Sequence, residues 1–583
     1  MRATVKQRIN YFFSKTVKFV LACLFLLPGV PATAQIFAPK NYPQHYFRWP
    51  LNLKPGIAAN FGELRPNHYH MGLDCRTDAK ENQPVYAAAE GYVARVKVEP
   101  SGFGQCIYIN HPNGLTTLYA HLNAFYPALE KYVKEQQYSL QSWKVFLDIP
   151  ANLFPVAQGQ FIALSGNTGG SQGPHVHFEI RDTKTDKVLN PLLFNMPIAD
   201  NKPPDILRLA VYDRRFSVYE QSPRFYPLKK INGVYTTIPA LLILNTDKVS
   251  FAITAFDSYT GSSNRNGIYE ASLYEDELPI AGFQIDSISY DETRDVNAHI
   301  DYRLRSGGGP FVQHLSRLPG YTQGIYKEVN GNGALVLTDD SIHHIRIEVK
   351  DAQNNTSQLK FDIQSRYANK HAGVDSSIYF NSKEFHPGFI NIFENNDIRF
   401  FLGENQLYDS LRFTFSQVGN KQDAIFLLRN GNTPVHGYFG VSIKGYCAES
   451  LSGKMVIERV YGSRQDFVKA AKNNEWYTAA FRELGSFRLL VDTVPPSIRP
   501  VGFRDGMNCG KLGRIAFGVS DNTELIRLFK ATLDGQWLRF SNDKGRIFIY
   551  KFDEHCTPGE HELKIYVEDQ VGNSTERIYH FTR

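Results

Sequence analysis

Along most of its length the chain alternates apolar and polar residues in short runs broken by Gly, Pro and Asn. That two-residue period is the pattern of strands with one buried face. Val85-Tyr86-Ala87-Ala88-Ala89 and Tyr92-Val93-Ala94-Arg95-Val96 flank Glu90-Gly91, a hairpin signal. The run 105–109 is followed by the turn His111-Pro112-Asn113-Gly114 and a returning strand over 115–119. Further on, 156–160 turns into Phe161-Ile162-Ala163-Leu164, and Gly166, Gly169, Gly170 and Gly173 form a loose loop leading into His175-Val176-His177. These hairpins predict an antiparallel sheet over 58–194. Within it, 125–155 breaks the pattern: Leu129, Tyr132 and Val133 predict a short helix over 128–137, and Trp143, Phe146 and Phe154 are apolar. This stretch reads either as a surface insertion at a loop or as a wall of a groove.

The strand pattern continues to the end of the chain. Asp200-Asn201-Lys202-Pro203-Pro204 and Asp492-Thr493-Val494-Pro495-Pro496 each open a new run of strands. Each run closes alike, with an alternating strand that ends in an Asp/Asn turn: 345–355 in the first and 563–573 in the second. Two β-sandwich units of immunoglobulin-like kind are expected, at 200–365 and 491–583. Between them 366–490 reads as a β-rich region of unknown type with a helical piece over 464–474. The fold class is therefore mainly β, in keeping with 32 Tyr and 41 Phe in 583 residues.

The first 34 residues read differently. Arg2, Lys6, Arg8, Lys15 and Lys18 precede an apolar run over 19–27 that is short for a membrane span, and Ala32-Thr33-Ala34 is a small-x-small cleavage site. This predicts a signal peptide over 1–34 and an exported protein of the periplasm or cell envelope. Removing five basic residues from a chain of net charge +6 leaves the remainder near +1, which argues against nucleic-acid binding. Of six cysteines, none forms a CxxC pair. Pairing of Cys75 with Cys106 and of Cys509 with Cys556 is open, as is the free-thiol state.

The chemistry concentrates in His70-Met71-Gly72-Leu73-Asp74 and His175-Val176-His177. Read as strands, they place His70 and Asp74 on one face, with Gly72 between them leaving room for an ion, and His175 and His177 on another shared face. Imidazoles and one carboxylate, with a position left open, are the donor set of a catalytic zinc site; structural sites lean on cysteine. His68-Tyr69-His70 is a second His-x-His, so His68 competes with His70. Glu179 shares the histidine face, either to orient a ligand or, as expected here, as a surface charge; His111 is expected to be a turn residue.

Four stretches carry a resemblance: 61–74 (Phe-Gly-Glu-Leu-Arg-Pro-Asn-His-Tyr-His-Met-Gly-Leu-Asp), Tyr119-Ala120-His121-Leu122, Gly166-Asn167-Thr168-Gly169, and Gly173-Pro174-His175-Val176-His177-Phe178-Glu179. Together, and in this order, they resemble the lysostaphin-type zinc endopeptidases, which cut peptidoglycan cross-links. The resemblance covers about a quarter of the chain. It implies one Zn2+ held by His70, Asp74 and His177, with His121 and His175 acting on the bound water and the substrate oxyanion; which of the two is the base stays open. It also implies a metallopeptidase domain over 35–199, with its core at 58–194 and an insertion at about 125–155.

The expected function is zinc-dependent hydrolysis of peptidoglycan peptide cross-links. The alternative is a non-catalytic envelope scaffold that binds peptidoglycan and activates other wall hydrolases. A biotinyl-type carrier is disfavoured because no lysine sits at the tip of either hairpin. The C-terminal β units read as spacers, or as surfaces for the cell wall or an envelope partner.

Overall fold

The structure is a computed structural model that describes residues 35–322, 324–366, 383–420, 423–428, 431–545 and 547–583. The signal-peptide expectation over 1–34 lies outside the described residues. No helix among them is long and apolar enough to cross a membrane.

The hairpins of the first domain close into a nine-stranded sheet. Its main path runs Pro155–Val156, Gly91–Val98, Gln105–Asn110, Leu115–Ala120, His175–Asp182, Val188–Leu189 and Ser287–Ile288. Val145–Asp148 pairs with Gly91–Val98, and Leu73–Arg76 pairs with His175–Asp182. All these pairs are antiparallel. A smaller sheet of Pro84–Tyr86, Phe161–Ser165 and Leu122–Phe125 lies in the same domain. Alternation along His175–Asp182 sends Val176, Phe178 and Ile180, all fully buried, into the core beside Leu73, Val96, Ile107 and Tyr119. Each such side chain contributes about 1.5–3 kcal/mol of apolar burial. His177, Glu179 and Arg181 take the opposite face.

The expected helix forms over Pro127–Ser139, started by Pro127 and burying Leu129 and Val133. None of the residues lining the cleft over His70 and His177 comes from 125–155, so this stretch is not its wall. It meets the C-terminal unit instead. Lys134 bonds to Asp553 and Glu554, both at 2.8 Å, and the Tyr138 ring stacks on His555 at 3.8 Å.

The final strand of the first sheet, Ser287–Ile288, comes from the next unit along the chain. The two share a hydrophobic core, in which Phe61, Tyr69, Met71 and Val188 pack with Leu209, Phe283 and Ile285. Beyond, 383–492 forms two five-stranded sheets around one core, and 497–583 a three- and a five-stranded sheet around another, so β-sandwich units follow the first domain. The helical piece expected over 464–474 is two strands, Arg464–Lys469 and Ala471–Asn473. Six cross-strand pairs with Met455–Tyr461 override the local helix propensity of Lys469-Ala470-Ala471-Lys472. The five described cysteines, at 75, 106, 447, 509 and 556, are all free thiols.

Candidate metal centre

Register builds the centre. His177 lies directly opposite Asp74 on one neighbouring strand and opposite Ala120 on the other, which places His121 one residue beyond. His70 is not on the Asp74 strand: that strand begins at Leu73, and His70 sits in the irregular stretch between it and the short strand His68–Tyr69. Main-chain bonds to 58–63 hold both residues. His70 N donates to Glu63 O at 2.8 Å, and Asp74 N donates to Ala59 O at 3.0 Å.

Three ligand atoms converge. His70 Nε2 lies 3.0 Å from Asp74 Oδ1 and 3.1 Å from His177 Nδ1, and His177 Nδ1 lies 3.0 Å from Asp74 Oδ1. The other nitrogen of each imidazole is engaged elsewhere. His70 Nδ1 donates to Asn60 O at 2.7 Å, and His177 Nε2 donates to Glu179 Oε1 at 2.9 Å. These bonds fix the tautomers that leave His70 Nε2 and His177 Nδ1 free to coordinate. Two neutral imidazole nitrogens and a carboxylate oxygen on three separate backbone positions fit a tetrahedral metal with one open corner. His68 bonds to Pro66 O and stands outside this group.

Gly72 has a different role from the one expected. A Cβ there would lie 2.5 Å from Phe178 O and 2.9 Å from His177 Nε2. The glycine makes room for the neighbouring strand and its histidine, not for the ion. Glu179 is likewise not a surface charge: it is fully buried. It accepts from His177, from Arg181 Nε at 2.7 Å and from the Tyr290 hydroxyl at 2.5 Å. Against the cost of burial, Arg181 and His177 hold the Glu179 carboxyl down to about 2. Burial alone would lower His177, but Asp74 and Glu179 raise it to about 9. Asp74 lies well below the ordinary carboxylate range, because its imidazole neighbours outweigh its burial.

His121 and His175 stand beside the ligands with their rings 4.8 Å apart. His121 has a left-handed backbone, φ 62°, and donates Nδ1–H to Thr168 O at 2.8 Å. Burial, reinforced by His177 and His175, pushes it down to about 3, so it is neutral. His175 Nδ1 lies 2.8 Å from Gly173 O, and its Nε2 lies 3.3 Å from Asp74 Oδ1. A cleft of about 1030 Å³ opens over these residues, walled by Arg65, Phe103, Gln172, Pro174 and Tyr290. His111 is structural, bonded to Glu90 O and Thr117 Oγ1.

Sequence reasoning missed Tyr290 and Phe103. The Arg181 guanidinium lies 4.9 Å from the Tyr290 ring centroid and 5.9 Å from that of Phe103. Tyr290 is 111 residues from Glu179 in a different unit, and nothing local marks it. The C-terminal unit also reaches the loop before His175. Gly169 N donates to Asp543 Oδ1 at 2.7 Å, and Lys544 Nζ donates to Ser171 O at 2.5 Å.

Two regions of the chain are similar to known families. Residues 68–138 match the model of Peptidase family M23, and 383–492 match a Zu5-like domain, so the β-rich region without a motif has a family likeness. An uncharacterized metalloprotease of Haemophilus influenzae is 29% identical over 161 residues, covering 26% of this chain and 28% of that protein. The DD-carboxypeptidase/endopeptidase Mpg of Neisseria meningitidis serogroup B is 34% identical over 112 residues, 19% of this chain and 20% of that one. The peptidoglycan DD-endopeptidase ShyA of Vibrio cholerae is 29% identical over 162 residues, 27% and 31% respectively. The chain thus spans less than a third of the length of each of these relatives. The mainly β domain that brings His70, Asp74 and His177 together is thus similar to peptidase family M23, whose model matches its residues 68–138.

Proposed function

We propose that this protein is a zinc-dependent endopeptidase that hydrolyses the peptide cross-links of cell-wall peptidoglycan. The observation that carries the reading is the meeting of His70 Nε2, Asp74 Oδ1 and His177 Nδ1 at 3.0–3.1 Å, with two further histidines beside them. The relatives named as DD-endopeptidases support the reaction class and the substrate. A substrate of that kind lies outside the cytoplasm, in keeping with the basic, apolar and small-residue order of 1–34.

Zinc at this centre would supply Lewis acidity and a bound water with a pKa near 7. The chain's own groups do the rest. His70, Asp74 and His177 would hold the ion, and Asn60 and Glu179 fix the orientation of the two imidazoles. His121 is neutral, and its Nδ1 proton is committed to Thr168, so its Nε2 is an acceptor and takes the proton of the nucleophile. His175, anchored through Nδ1 on Gly173, carries Nε2 3.3 Å from Asp74 Oδ1, beside the ligands, and from there serves the substrate oxyanion and leaving group.

The test combines metal content with digestion of purified cell wall, analysed by mass. The wild type binds one zinc and releases new amine termini. His70→Ala and His177→Ala lose the metal, whereas His121→Ala keeps it and loses turnover by roughly 100-fold or more. Zinc retained in all three variants would refute the ligand set. Zinc bound by a wild type that cleaves nothing would favour the non-catalytic scaffold instead.

A further inference from the structure

Two units of this chain repeat one acidic construction. Asp200 and Asp492 each stand three residues before a Pro-Pro pair that opens a unit. Asp257 and Asp521 each directly follow a strand, Lys248–Phe256 and Arg514–Ser520. Asp351 and Asp569 each head a turn that ends in Asn. Asp351 accepts from the main chain of Gln353 and Asn355 at 2.8 and 2.9 Å and from the Asn355 side chain at 2.7 Å. Asp569 accepts from Val571, Asn573 and the Asn573 side chain at 2.9, 2.8 and 2.7 Å. The same asparagines then reach back to the linker: Asn355 to Asp200 O at 3.4 Å and Asn573 to Asp492 O at 3.1 Å.

In each unit the three carboxylates bring one oxygen apiece within 4.8 Å of one another. A second observation is independent of that clustering. Asp257 is fully buried, and neither of its oxygens has a well-formed hydrogen bond. Asp492, 2% exposed, leaves Oδ2 without a partner, and Asp200 Oδ2 and Asp521 Oδ1 are buried and unpartnered as well. The amide oxygen of Asn266, whose main chain pairs with Asp257, is in the same condition. Among the described residues no Lys, Arg or His forms an ion pair with any of the six aspartates. Leaving buried carboxylate oxygens without partners is costly, and a cation shared by the three would relieve that cost for all of them at once.

We propose that each trio binds one calcium ion, the first held by Asp200, Asp257 and Asp351 and the second by Asp492, Asp521 and Asp569. The donors are all oxygens, which selects a hard cation and disfavours zinc. Calcium–oxygen bonds of 2.3–2.6 Å place ligands up to about 5 Å apart, which accommodates the observed spacing, and calcium tolerates the irregular geometry that three unrelated segments impose. Each ion ties a linker aspartate to the body of the unit it introduces and so sets the angle between neighbouring units. The first ion also braces the metal centre: Tyr259, two residues past Asp257, meets the Asn60 side chain at 3.4 Å, and Asn60 O holds His70.

The test uses the full chain, stripped of metal, reloaded with one equivalent of zinc and dialysed against radioactive calcium at millimolar concentration. Two calcium ions per chain are expected in the wild type. Asp257→Asn and Asp521→Asn, which keep side-chain volume, each bind one, and the double variant binds none. Asp74→Asn, which alters only the zinc site, still binds two. A rise in the wild-type melting temperature on adding calcium, repeated with magnesium, gives a measurement that needs no variant. Failure to bind calcium, unchanged stoichiometry in the aspartate variants, or equal stabilisation by magnesium would each overturn the proposal. None of these outcomes bears on whether the M23 domain cleaves peptide bonds.

Discussion

Replacing Glu179 by Gln isolates the group that orients His177. The side chain keeps its volume and an acceptor oxygen but loses its charge, while Arg181, 3% exposed, retains only the exposed partner Asp186. The Glu179 carboxyl is displaced from an ordinary 4.5 to about 2. At 1.36 kcal/mol per pH unit that is worth about 3 kcal/mol, in line with the cost of breaking a buried ion pair. The sign follows from the direction. A depressed carboxylate stabilises the fold above its unfolded pKa, and that contribution is lost as the pH falls through the folded value. Denaturant titrations should therefore show the variant about 3 kcal/mol less stable than wild type at pH 7, with the gap narrowing as the pH is taken below about 4.5. Zinc affinity, measured by chelator competition, should fall about 10–100-fold, as for other groups that orient a ligand imidazole. Metal uptake adds a separate readout. His177 is raised to about 9 in the metal-free chain, so its stabilising effect there is complete below about 6.5 and lost as the pH rises through about 9. Coordination at Nδ1 must displace a proton across that window, so the wild type releases close to one proton per zinc from this residue at pH 7, and the variant releases less. A variant with wild-type zinc affinity and stability at pH 7 would refute the role assigned to Glu179.

Two further outcomes follow from the packing around the centre. Gly72→Ala forces a Cβ to within 2.5 Å of Phe178 O, so it should cost about 1–3 kcal/mol and weaken zinc binding, read by thermal melting and metal analysis; a neutral substitution would mean that the strands separate freely there. Removing the side chains of Asp543 and Lys544 together deletes three hydrogen bonds to the loop before His175, to Gly169, Asn167 and Ser171, each worth about 1.5–3 kcal/mol. Amide exchange over 166–173 should then accelerate at least about 10-fold with zinc content unchanged, and unaltered exchange would show that the C-terminal unit does not steady this loop.

The sequence by itself determined the strands of the first domain, the identity of the four histidines and one aspartate at its centre, and the repeated linkers and Asp/Asn turns of the two β units. Each of these is local: a period of two, a turn dipeptide, or a short motif is written in adjacent residues, and the side-chain chemistry travels with it. Tertiary structure alone decided the partners. Glu179 could not be placed, because a carboxylate on a strand is a surface charge or a buried orienting group according to what covers that face, and the cover is Tyr290 from another unit. Gly72 looked like space for an ion until the neighbouring strand was seen to press against it. The helix expected over 464–474 gave way to strands because pairing with Met455–Tyr461 outweighs a propensity of a few tenths of a kcal/mol per residue. The acidic trios were invisible for the same reason. The first spans 151 positions, from 200 to 351, and the second 77, from 492 to 569, and only folding brings their oxygens within 4.8 Å.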